Sequence, residues 1–388
     1  MFPACAALAF DPFSVPDWPE APAVTQAYGF LSAFAGDTAV PLHEVLAPAK
    51  WKPDYAPWPG SNIALATARA ASGVRVEGWR VGVVAREEWF ARANRPALDL
   101  FEQSQSGLTL PGVAQQVRYE LHGWAASGLE LGRTATRELA PGWNAKAGAS
   151  LALLDGLRFR AEQWQGNFVP LSPGVVLANG SVGRDNDHLH GNLFGGPIPA
   201  HGQGSGEGYT LDLMLGLQAP AGVRLDWVAT DAMGLMHWRG IPREQFTAKD
   251  YVVCQQLDVT CSSAKLAYAD MASGAVVNGS LAEHPAAKQR FAVTVPLGRA
   301  QLRLHDSRGY GENFPSVGLR YPLGEDRPAG DQPSAAGSDL SLSYDTRFHS
   351  WCLGLQGHGL ALALQSDQLT LARARVLALQ LGLRFDLR

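Results

Sequence analysis

The densest run of polar side chains in this sequence is Arg184-Asp185-Asn186-Asp187-His188-Leu189-His190-Gly191-Asn192. Carboxylates and an amide at alternate positions are the ligand types a hard cation takes, and His188 with His190 could hold zinc or copper. The run lacks the distal glutamate that completes a calcium-binding loop, and its residue types are those that turns favour. It reads as a solvated loop, with no metal assigned and no cofactor expected.

Nucleophilic chemistry has no local signature either. There is no G-x-S-x-G elbow and no H-E-x-x-H pair, the two arrangements that place a nucleophile or a zinc-bound water by sequence alone. Glu162, Trp164 and Ser172 make no nucleophile set. A histidine–serine pair would need separate strands, with His122, His305 or His349 as base. Each histidine reads more simply as a hydrogen-bond partner. The cysteines, Cys5, Cys254, Cys261 and Cys352, form no C-x-x-C and no zinc pattern. Cys254 and Cys261 could staple a loop in an oxidising compartment, or stay as thiols. No catalytic motif is present, so the chain is not expected to be an enzyme.

What remains is charge arranged at period two. Arg118, Glu120 and His122 alternate with Val117, Tyr119 and Leu121, and Arg158, Arg160 and Glu162 alternate with Leu157, Phe159 and Ala161. Arg303 and His305 alternate with Leu302 and Leu304. On strands, one parity faces one side of the sheet. These eight polar residues are therefore the candidate lining of a lumen, with Arg224, Asp226, Arg347 and Arg384 on the same parity. In a water-filled pore such rings set selectivity; in a narrow barrel they would pair and fill the interior. An arginine constriction of Arg118, Arg158 and Arg160 is the sharper expectation.

The elements that would position them are strands. Trp143 to Leu153 alternates apolar and polar residues; so do Tyr209 to Leu217, Val223 to Trp227, Phe291 to Val295, Ala300 to Leu304 and Leu340 to Tyr344. Ala219–Gly222 and Pro296–Arg299 read as hairpin turns, and Leu154-Asp155-Gly156 as a third, because glycine supplies a positive φ. The alternation predicts roughly 14 strands (12–16), with Leu213 on an apolar outer face and Met214 on a wet inner one. The long, turn-rich segments 170–207 and 322–338 are expected on one rim. Ten of the 25 prolines fall in residues 1–60, and proline removes a ladder donor. Residues 1–60 are thus read as an arm or a plug, with Tyr28 to Ala35 its one stretch fit for a strand or short helix, and 61–388 as the sheet. Ala7-Leu8-Ala9 fits the small-x-small cleavage pattern of an export signal.

Composition narrows the class. Charged residues are 18% and hydrophobic residues 46%, against about 25% charged in soluble domains. A net charge of −4 excludes a globally basic nucleic-acid binder, and no apolar run approaches the ~18 residues of a spanning helix. Leucine-, valine- and alanine-rich strand faces of spanning length, with Trp143, Tyr209, Trp89, Trp124 and Trp238 near strand ends, suit a bilayer edged by aromatic girdles.

The C-terminus is the most specific feature. Leu377, Leu379, Leu381, Leu383, Phe385 and Leu387 alternate with Ala378, Gln380, Gly382, Arg384 and Asp386. Here the chain resembles the bacterial outer-membrane β-barrel superfamily, porin-like in pattern. The resemblance implies a closed antiparallel transmembrane barrel in the bacterial outer membrane. It further implies contact with outer-membrane lipid and with the barrel-assembly machinery through the last strand. The expected function is passage of a polar, anionic small solute. Three alternatives stand beside it: an anchor or secretion barrel for a surface polymer, its Pro-rich arm meeting a periplasmic partner; an outer-membrane hydrolase; and a soluble β-sandwich binder. No nucleic-acid partner is expected.

Overall fold

Backbone polar groups inside hydrocarbon have no water to bond, so a spanning sheet must close on itself. The computed structural model, which describes residues 11–13, 25–46, 55–106, 112–172, 175–186, 204–254, 276–323, 338–357 and 359–387, does so. It is a closed 14-strand antiparallel β-barrel. Closure joins the two ends of the chain: β1 (Gln26–Asp37) pairs with β16 (Val376–Asp386) from Gln26↔Asp386 to Gly36↔Val376.

The wall continues through β2 (Ser61–Val76), β3 (Trp79–Asn94), β4 (Gln115–Ala140) and β5 (Trp143–Ser172). Beyond β5, two strands share one gap end to end. Both β7 (Ser205–Gln218) and β6 (Val175–Asn186) lie between β5 and β8 (Arg224–Cys254). On the other side of β8 the same device recurs with β9 (Val276–Glu283) and β10 (Lys288–Leu297). Sixteen strand segments thus fill fourteen places. The circuit finishes with β11 (Ala300–Gly309), β12 (Glu312–Pro322), β13 (Asp339–Asp345), β14 (Ser350–Gly357) and β15 (Leu360–Ser366). One side of the wall is much taller: β4, β5 and β8 run to 26, 30 and 31 residues, whereas β13 and β15 have 7 each.

The chain ends and the hairpin turns at Glu77-Gly78, Pro141-Gly142, Ala219–Val223 and Gly298-Arg299 share one rim, here the turn rim. Gly222 and Gly298 sit at φ 79° and 61°, the left-handed conformation those turns require. The far rim carries α1 (Leu42–Leu46) and α2 (Arg95–Ser106). α2 packs against Ala93 and Val117 on the outer parity. Tyr55 donates to Asp99 of α2 at 2.7 Å, and burial together with that carboxylate raises the phenol above its usual range.

Several expectations need correction. Residues 26–37 belong to the barrel, so its boundary is not at 61; the prolines lie on either side of β1, and none falls between 23 and 40. Asp155-Gly156 is not a turn but the middle of β5. Its glycine is needed for close approach, because a Cβ there would meet the Trp238 ring at 2.4 Å. Segment 170–207 is not one loop: β5 runs to Ser172 and β6 occupies Val175–Asn186. The two long segments join opposite rims, since Pro322 pairs with Asp339 at the turn rim. Residues 187–192 of the polar run and Cys261 lie outside the described residues. Cys352 is buried.

Candidate functional site

Parity on every strand separates two surfaces. Outward stand Leu151, Leu153, Leu215, Leu225, Leu304, Leu319, Leu342, Leu353, Leu364 and Leu379, all exposed. Trp143 to Leu153 spans eleven residues of β5, within the ~9–11 that a tilted spanning strand needs. Aromatic rings edge this band. Trp79, Trp143 and Tyr321 are exposed toward the turn rim, while Tyr209 and the tilted ring pair Tyr344–Trp351 (centroids 4.8 Å apart) lie toward the far rim. Arg133 sits over Trp79 at 4.9 Å and Arg299 over Tyr321 at 5.6 Å, charges placed where headgroups would meet them. Trp124 and Trp238 do not belong to the girdle; both point inward and are buried. An exterior apolar around the whole circumference, on a sheet without an edge, belongs in hydrocarbon.

The chain is a closed antiparallel β-barrel with an apolar, membrane-facing exterior.

Known proteins assign no activity to this chain. No family model matches the chain, and no curated protein is similar to it. Among solved structures it is similar to the toluene transporter TbuX of Ralstonia pickettii, at 8% identity and TM-score 0.29, covering 94% of this chain and 90% of that one. It is also similar to the outer membrane protease OmpT of Escherichia coli (8%, TM-score 0.21, 99% and 100% covered). The outer membrane protein OpdK of Pseudomonas aeruginosa gives 10%, TM-score 0.16, with 94% and 98% covered. None of these carries an activity over to this barrel.

The lumen of this barrel holds its distinctive chemistry. Four cations and four carboxylates, each almost wholly buried, meet in one interior network: Arg69, Arg80, Arg86 and Lys288 with Glu88, Glu130, Asp212 and Asp231. Arg86 grips Asp231 in a two-pronged contact, Nη1–Oδ1 2.7 Å and Nη2–Oδ2 2.6 Å, and also reaches Glu88 at 2.8 Å. Lys288 donates to Asp231 at 2.6 Å and pairs with Glu88, to which Tyr310 also donates at 3.0 Å. Arg69 bridges Asp212 (3.3 Å) and Glu130 (3.6 Å); Arg80 pairs with Glu130 and donates to Ser150 at 3.1 Å. Equal numbers of opposite charges and this dense bonding are what allow ions to sit away from bulk water.

Asp231 owes its position to a bulge. The β7–β8 register slips between Leu211/Met233 and Leu213/Ala229, and Asp231 takes φ 54°. A non-glycine residue in the left-handed region is costly and persists where its surroundings hold it. Here two cations and the Asp231 N–H bond to Asp212 (3.0 Å) do so.

Beside the network, toward the far rim, the lumen is filled by apolar side chains. Phe34, Ile63, Leu65, Phe90, Phe314 and Phe348 pack together with Met214 and Val228. Into this cluster comes the N-terminal segment Asp11-Pro12-Phe13. Phe13 meets Phe314 edge-on at 5.2 Å and Tyr310 at 6.2 Å. Thr67 donates to the Pro12 carbonyl at 2.5 Å, and Asp11 faces Arg290 at 3.4 Å. These three residues cross the lumen between β2, β10 and β12.

The eight candidate lumen residues divide. Arg303 and His305 are buried inside the barrel. His122 faces inward, bonded to Glu283 and edge-on to Phe159 at 6.0 Å. Arg118 and Glu120 stand exposed on the tall wall. Arg158 and Arg160 do not line the lumen, because their partners are Ala125 and Gly123, on the parity opposite to buried Phe159↔Trp124. The extra residue Leu157 in β5 reverses the alternation there. Outside, Arg160 and Arg184 bracket Glu162 at 2.8 and 3.4 Å. Replacing Arg158 and Arg160 by glutamate should therefore leave reversal potentials in planar bilayers unchanged; a shift toward cation selectivity would return them to the permeation path.

Sequence reasoning missed Arg69, Arg80, Arg86, Glu88, Glu130, Asp212, Asp231 and Lys288 as site residues. Asp212 alone lay on a quoted polar parity. His305 and Ser316 do come together, Ser316 Oγ lying 3.0 Å from each ring nitrogen. A hydrolytic triad needs its carboxylate behind the histidine. Asp345 is instead the register partner of Ser316 and accepts from the Arg347 and Phe348 N–H groups.

Proposed function

We propose that this barrel gives gated passage to a small polar, anionic solute, with Asp11–Phe13 as the plug. The observation that carries the reading is where that segment sits: inside the barrel, with the Pro12 carbonyl accepting from Thr67, Asp11 facing Arg290 and Phe13 against Phe314. Anion preference is supported by the turn-rim half of the interior. Arg75, Lys146, Arg224, Arg303, Arg320 and Arg384 share the inward parity there with fewer carboxylates, Glu138, Asp226, Asp339 and Asp386. Low-dielectric walls focus such a field and concentrate counter-ions at the mouth.

The test is conductance in planar bilayers. The wild-type barrel should be closed for most of the recording, and the double substitution Asp11→Ala, Phe13→Ala should raise the open fraction severalfold with anion-selective reversal potentials. A wild-type barrel with large steady conductance, or a double variant that stays sealed, would overturn the plug.

A further inference from the structure

The outer wall is not uniformly convex. A cavity of about 930 Å³ lies against it, at the upper end of the ~300–1,000 Å³ typical of ligand sites. Two adjacent hydrogen-bond rows form its floor. One runs Arg137↔Ala145↔Leu217↔Leu225↔Val293↔Leu304, the next Ala135↔Ala147↔Leu215↔Trp227↔Phe291↔Asp306. All belong to the outward parity and therefore to the membrane face. Small residues on β4 and β5 (Ala135, Ala145, Ala147) lower the floor at one end, and Trp227 and Phe291 raise a wall at the other. The result is an oblique apolar trough crossing the strands.

Charge at its ends says what fills it: Asp306 at one end is paired with Arg308 at 2.6 Å, and the cation Arg137 stands at the other. The trough begins toward the turn rim at exposed Arg137, an outward-facing cation one turn-rim step from Trp143 and on the same face of β4 as Arg133. From that level it climbs into the apolar band. A ligand that matches must be apolar over most of its length, carry an anionic group at one end, and arrive from within the bilayer. Guanidinium groups bind phosphate oxygens in a two-pronged fork, and basic sites at a membrane surface select anionic headgroups.

We infer that this trough is a binding site for an anionic phospholipid of the turn-rim leaflet, its acyl chains along Leu215, Leu225 and Trp227 and its phosphate at Arg137. The site lies outside the lumen and is independent of solute passage. It would hold one lipid through purification while bulk lipid is exchanged for detergent.

Native mass spectrometry of the detergent-purified barrel, incubated with phosphatidylglycerol or phosphatidylcholine, tests this. The bound-to-free ratio should favour phosphatidylglycerol by about fivefold, the value of one arginine near a membrane surface. Arg137→Gln should abolish that preference while retaining some lipid. Leu215→Trp should fill the trough and remove retention of both lipids, and Ala147→Leu, filling it from the opposite wall, should act likewise. Heat-modifiable migration on cold gels would verify that each variant is folded. Equal retention of the two lipids by wild type, undiminished retention after both fillings, or dimers that disappear on filling would overturn the site.

Discussion

Asp231→Ala will destabilise the folded barrel by roughly 3–5 kcal/mol, the cost of breaking a buried ion pair from one side. The carboxylate has no exposed surface and serves both Arg86 and Lys288. Its loss leaves two cations sharing Glu88 in a space where water cannot replace the missing oxygens. The backbone points the same way only weakly, since alanine tolerates φ 54° less well than aspartate does. Urea unfolding in lipid vesicles, followed by gel mobility, would measure the effect. Combining Asp231→Ala with Lys288→Met should recover much of the loss, because removing both partners of a buried pair is far cheaper than removing one. If the single variant were as stable as wild type, bulk water would have to reach the network, and the proposed closure of the lumen would fail.

The second large effect contrasts neighbours on β7. Leu213 faces outward midway along the apolar band, and Leu213→Arg should cost about 2–4 kcal/mol, as a cation does on a lipid face near the midplane. Met214 faces the lumen, and period-two reasoning about a wet interior expects Met214→Arg to be tolerated. The structure reverses that expectation. Met214 is only 3% exposed and packs in the aromatic cluster that holds Phe13. An arginine there would lack a carboxylate, because the four nearby already serve four cations. The loss should match or exceed that of Leu213→Arg in the same unfolding measurement. Survival of Met214→Arg with full stability would mean that this half of the lumen is hydrated.

Much of the outside of this protein was legible in the sequence. Lipid accepts only apolar side chains, so every second residue of the membrane band, from Trp143 to Leu153 in β5, from Tyr209 to Leu217 in β7 and along β14, β15 and β16, had to be apolar, and the alternation from Leu377 to Phe385 could be read without a structure. The hairpins at Ala219–Val223 and Gly298-Arg299 were legible for a related reason: their glycines serve a local conformation, which sequence encodes locally. Gly156 shows the limit. Its residue type is the same, but its cause is a tryptophan 82 positions away in β8, and a turn was the wrong conclusion. β1 was obscured by the prolines around it, because pairing with β2 and β16, not its own pattern, makes it a strand.

The inside was decided by the tertiary structure alone. Whether an inward charge lines water or is neutralised depends on what the opposite wall presents, and strands far apart in sequence face each other across a barrel. Arg86 and Asp231 are 145 residues apart, and nothing near either announces the other. Leu157, one extra residue in β5, turned Arg158 and Arg160 outward and moved the charge of interest to Arg69, Arg86 and Lys288. The path of Asp11–Phe13 was likewise beyond local reading. A proline-rich segment has no pattern that selects lumen over solvent; only the space left between Thr67, Arg290 and Phe314 does.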